Sequence, residues 1–117
     1  MVNACSLISD EDVADVLGGE ISHEAFDNID GGHTCSYKSE SNIGTMDVQV
    51  GPYNAGFADA PGRQIRLFGN SMEFYTGKRS FLVDVNSPYW REQRPSPQEK
   101  DDELLALAIT MINSLPN

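Results

Sequence analysis

The sequence predicts an α+β fold, an antiparallel sheet of two or more hairpins with a short N-terminal helix and a C-terminal helix packed on one face. Three observations point there. Ser9 opens a capped helical run, alternating apolar and polar residues follow in paired stretches, and Ser96 opens a second amphipathic run near the end. The order shows no internal repeat and no break in composition, and the length suits one cooperative core, so residues 1–117 are read as a single domain.

The first helix is expected over about residues 10 to 17. Ser9 can cap the free amides, Asp12 stands three residues on in a capping-box arrangement, and Ile8 lies where it can staple onto Val13. Val13, Val16 and Leu17 make one apolar stripe, and Gly18-Gly19 supplies the positive-φ exit. From Glu20 to Phe26 the pattern suits a strand, with Ile21 and Phe26 available for burial, and Asp27 to His33 reads as a turn. Cys35 to Lys38 and Met46 to Val50 alternate as strands, joined as a hairpin across Ser39 to Gly44.

Pro52 to Gly62, rich in Gly, Ala and Pro, reads as a connection, and Gln64 to Phe68 as a short strand or approach loop. Met72, Phe74 and Thr76 alternate with Glu73 and Tyr75. Gly77-Lys78 then offers a tight turn into Phe81, Val83 and Val85, which makes a second hairpin. Asn86 to Pro97 carries three prolines and no amphipathic period, and is expected to be a long exposed loop. Ser96 caps the last helix, with Pro97 at its first position and Glu99 completing a capping box. Leu104, Leu105, Ala108, Ile109 and Ile112 form the stripe expected to pack on the sheet.

A formal charge of −10, from 18 Asp and Glu against 8 Lys and Arg, opposes binding to a phosphate backbone or an anionic bilayer. Nucleic acid is therefore not an expected partner. The longest strongly apolar stretch, Leu104 to Ile112, is too short to span a membrane. Met1 to Cys5 contains no apolar run that could serve as a signal peptide, so the chain is either cytosolic or starts after a removed signal. Val2-Asn3-Ala4-Cys5 loosely matches the end of a lipobox, but a thiol that carries lipid cannot also pair with Cys35. Membrane tethering is expected only if a removed N-terminal segment carried the anchor.

Two cysteines allow a bridge, two buried thiols or metal ligation. We expect the Cys5 to Cys35 disulfide, which would close a loop worth roughly 3 to 4 kcal/mol in the chain-entropy model.

The combination Cys5-Ser6-Leu7-Ile8-Ser9, Val13 to Gly18, then Cys35-Ser36-Tyr37 resembles a group of actinobacterial secreted lipoproteins of unknown function. Those proteins read Cys-Ser-Leu-Leu-Thr, a short helix ending Leu-Gly, then Cys-Ser or Cys-Thr before Trp or Tyr. Leu67 to Met72 and the last helix with Leu115-Pro116 are similar to the corresponding segments, although Phe68 and Asn70 depart from the usual residues. The resemblance implies export, a disulfide between the two matched cysteines and no known enzymatic activity, and it supplies no binding residues.

His23, Glu24, Asp27, Asp30 and His33 lie close enough in sequence to bind a divalent ion. They lack the ligand order of a calcium loop, and zinc at His33, Cys35 and Cys5 competes with the bridge. There is no nucleophile elbow and no phosphate-cradling glycine loop. No catalytic residue, metal or cofactor is therefore assigned. Pro88-Tyr89-Trp90-Arg91-Glu92-Gln93-Arg94-Pro95 concentrates the residue types that dominate interfaces, so Tyr89, Trp90, Arg91 and Arg94 are the expected partner-binding residues. The competing reading folds Tyr89 and Trp90 back under the last helix. Arg63, Arg66, Lys78 and Arg79 can form a weak anion patch or ordinary solvated strand ends.

The expected function is a non-catalytic binding or accessory module of an exported bacterial protein, extracellular or in the cell envelope, that contacts a protein partner or captures a small ligand. Two alternatives remain: a small hydrolase or metal-dependent enzyme around His33, and a cytosolic subunit of a larger complex.

Overall fold

Alternation in the middle of the chain yields six strands, and the computed structural model describes them within residues 3–27, 32–52, 65–76 and 79–115. They are β1 (Ile21–Asp27), β2 (His33–Ser39), β3 (Thr45–Pro52), β4 (Arg66–Phe68), β5 (Ser71–Thr76) and β6 (Arg79–Asn86). All pair antiparallel in one sheet of order β1-β2-β3-β6-β5-β4, so two three-stranded meanders meet along β3 and β6. β2 begins at His33, earlier than the sequence reading placed it. The expected connection at 52–62 falls almost wholly outside the described residues, as does the Gly77-Lys78 turn.

A 3₁₀ turn (Ala4–Ser6) precedes α1 (Asp10–Leu17). Ser9 caps α1 by accepting the Asp12 N–H at 3.1 Å, and Gly18 and Gly19 leave it at φ of 75° and 81°, as their sequence position required. α2 (Pro88–Gln93) and α3 (Pro97–Ser114) complete the chain. Ser96 accepts the Glu99 N–H at 3.1 Å, and its hydroxyl donates to Glu99 Oε1.

The core lies between one face of the sheet and the helices. Cys35, Tyr37, Met46, Val48, Val50, Met72, Phe74, Phe81, Val83 and Val85 are buried on that face, where period-two patterning put them. Val13, Val16 and Leu17 meet them from α1. Each fully buried aliphatic or aromatic side chain contributes about 1.5–3 kcal/mol relative to an exposed one. α3 turns differently from the sequence reading: Leu104, Leu107, Ala108 and Met111 are buried, whereas Leu105 and Ile109 are exposed. The i, i+3, i+4, i+7 set at 104, 107, 108 and 111 makes one stripe, and the overlapping set at 105, 108, 109 and 112 leaves Leu105 and Ile109 exposed while Ile112 packs at the core's margin. Phe26, expected to be available for burial, is 46% exposed on the opposite face of the edge strand β1.

Cys5 and Cys35 are joined by a disulfide that ties the 3₁₀ turn to β2. Their sulfurs are thereby unavailable to zinc, and Cys5 cannot carry lipid through the same atom. No helix among the described residues is long and apolar enough to cross a membrane.

Candidate protein-contact surface

The segment read as an exposed loop folds instead as α2. Ser87 accepts the Trp90 N–H at 3.1 Å, Pro88 takes a first-turn position where its missing N–H costs nothing, and the Arg94 N–H closes onto the Trp90 carbonyl at 2.8 Å. The signal was present in the sequence, since Ser87-Pro88 repeats the Ser96-Pro97 pair that marks α3.

That helix separates the four expected contact residues. Trp90 is only 1% exposed and belongs to the core, so it cannot serve as the exposed anchor the sequence suggested. Its indole Nε1 is buried and finds no acceptor among the described residues. Tyr89 is half-buried, and its ring lies so close to Gly18 that a Cβ there would stand 2.8 Å from it. Arg94 is half-buried, and its Nη2 lies 3.8 Å from Glu103 Oε1 on α3. Arg91 is exposed and forms no ion pair among the described residues.

On β1 and β2, each of the two histidines lies against an aspartate. His23 Nδ1 lies 2.8 Å from Asp10 Oδ1, and His33 Nδ1 lies 2.8 Å from Asp27 Oδ1 across the strand pair. An acid that orients an imidazole is two-thirds of a hydrolytic triad, but no nucleophile hydroxyl or thiol is joined to either ring among the described residues. Nor do any three His, Cys, Asp or Glu among those residues come together as a metal site. On β2, opposite His23, Tyr37 is fully buried and donates to the Ile8 carbonyl at 2.7 Å. Burial first, then the nearby Asp10 carboxylate, push its phenol up to about 12. On the other face Tyr75 is also raised, chiefly by burial and next by Glu73.

A shallow groove of about 140 Å³ separates α1 from α3, lined by Asp12, Asp15, Glu103, Ala106, Leu107 and Thr110. Its rim is acidic, unlike the deep apolar pockets that hold most small ligands. Of the four cations considered as an anion patch, Arg66 stands 3.8 Å from Glu73 and Arg79 is exposed on β6, while Arg63 and Lys78 lie outside the described residues. In comparisons with known proteins, no family model, curated protein or solved structure matches this chain.

Proposed function

We propose that this chain is a non-catalytic binding module of an exported bacterial protein and that it works by protein contact through the outer side of α2. Arg91 carries the reading. It stands exposed on an acidic molecule, without an ion pair among the described residues, on a helix rooted by the buried Trp90. A planar guanidinium held out in this way suits carboxylates and aromatic faces on a partner. Tyr89 adds aromatic area beside it, and because its ring already rests on Gly18 it loses little freedom on binding. The Cys5–Cys35 bridge supports an oxidising compartment. Contact is favoured over small-ligand capture by the shallow, polar character of the α1/α3 groove.

The experiment is affinity capture from the extracytoplasmic fraction of the cell that makes the protein, with the wild-type domain and a Tyr89→Ala/Arg91→Glu variant of unchanged circular dichroism. A partner held by the wild type should bind the variant at least about 2 kcal/mol more weakly, roughly thirtyfold. Equal retention by both would place the contact elsewhere.

A further inference from the structure

The two edges of the sheet are built differently. β4, at one margin, has three residues and carries Arg66. A short strand and an edge cation are common means of keeping an edge from recruiting another chain. β1, at the other margin, runs seven residues with neither lysine nor proline, and six of the seven are exposed. Its hydrogen-bond phase follows from one contact, since the Glu40 N–H donates to the Glu20 carbonyl at 2.9 Å in the same register that pairs Ser22 with Lys38 and Glu24 with Ser36. In an antiparallel pair alternate residues exchange bonds, so the even-numbered residues of β1 bond to β2. The N–H and C=O groups of Ile21, His23 and Ala25 therefore point away from the sheet, and no described strand pairs with them.

We propose that β1 accepts an extended, lysine- or arginine-bearing segment of a partner protein as a seventh strand. The outward backbone groups supply the pairing, and the side chains beside them select the charge. Glu24 and Phe26 are exposed on one face of β1, and Asp27 on the other with its side chain 90% exposed, while Glu40 is exposed next to the start of the strand. Glu40 Oε1 accepts from Ser22, which holds this carboxylate over β1. A cationic strand gains both backbone bonds and charge pairing here. A second copy of the chain, at −10 against −10, gains the bonds against mutual repulsion. This surface is distinct from α2 and does not depend on the reading of Arg91.

The probe is a labelled peptide alternating threonine and lysine, long enough to span β1, with two counterparts: the same peptide fully N-methylated, and a threonine–glutamate version. Fluorescence anisotropy at physiological ionic strength should show saturable binding of the first and at least about tenfold weaker binding of the other two. Ala25→Pro should weaken the first peptide by a similar factor. The Ala25 N–H points outward, so proline there removes an edge donor and leaves the pairing with β2 in place. Glu24→Lys should lower affinity for the lysine peptide and raise it for the glutamate peptide, which decides the matter even if the proline variant does not fold. Equal binding of the N-methylated peptide would reduce the interaction to charge alone and overturn the proposal. So would unchanged binding by a folded Ala25→Pro protein, or equally tight binding of the glutamate peptide. Concentration-dependent dimers in sedimentation that Ala25→Pro abolishes would assign the edge to a second copy instead, and overturn it too.

Discussion

Tyr37 joins packing to titration within a single side chain. Its ring is fully buried and its hydroxyl satisfies the Ile8 carbonyl, so the neutral phenol is the form the fold accommodates. With its pKa raised from 10.0 to about 12, the folded chain keeps a proton that the unfolded chain releases. The stability this contributes is complete below pH 10 and is lost as pH rises from 10 through about 12. Tyr37→Phe should flatten that alkaline loss while costing about 1–3 kcal/mol at neutral pH, because the Ile8 carbonyl is left without its donor. Urea midpoints at pH 7 and across the alkaline range check both effects, with a remaining slope expected from Tyr75. The inward face of Tyr37 was legible from its place two residues after Cys35 in an alternating strand. Trp90 was not legible in the same way. A tryptophan beside arginines has the composition of an interface, and only the phase of α2 decides that the indole points inward.

Between neighbouring elements, legibility followed the strength of the local signal. α1, α3 and the two hairpins announced themselves through caps and alternation, because those devices act over a few residues. The face presented by α3 did not, since two interleaved apolar stripes satisfy the same period and only contact with β4 and β5 chooses between them. α2 was hidden by Pro88 and the prolines that follow it, although Pro88 stands where a helix tolerates one. β1 was recognised as a strand but not as an exposed edge, because strand order is a property of the assembled sheet. The junction of α1 with α2 can be tested at Gly18, whose φ of 75° and ψ of 141° suit glycine alone and whose added Cβ would stand 2.8 Å from both the Tyr89 ring and Asn42. Gly69 is an uncrowded comparison, with φ of 64° and nothing within 4 Å of an added Cβ. Gly18→Ala should lower the melting temperature clearly more than Gly69→Ala, whose cost is backbone strain of about 1 kcal/mol. Equal losses would mean that Tyr89 does not brace the helix junction.

Across the whole molecule, the disulfide and the sheet bind different parts of the chain. The bridge spans a separation of 30 residues, from the 3₁₀ turn to β2 in the first meander, whereas the eight-residue register of β3 with β6 joins the two meanders. The 3₁₀ turn packs against β1, β2 and β3, so the bridge fixes the start of the chain over the meander that ends in the edge strand β1. Without it, the unfolded chain regains the freedom of that loop, and a Cys5→Ser/Cys35→Ser protein should lose roughly 3 kcal/mol in urea unfolding. Because β3 and β6 still couple the halves, the loss should appear in one cooperative transition, with β1 amides exchanging faster than those of β6. Compartment is bound to the same pair of sulfurs. Native protein isolated without reductant should take up no alkylating reagent, and two equivalents after reduction. Two reactive thiols in the unreduced protein would remove the bridge together with the chemical argument for export, and would leave the acidic composition to be explained in a reducing compartment.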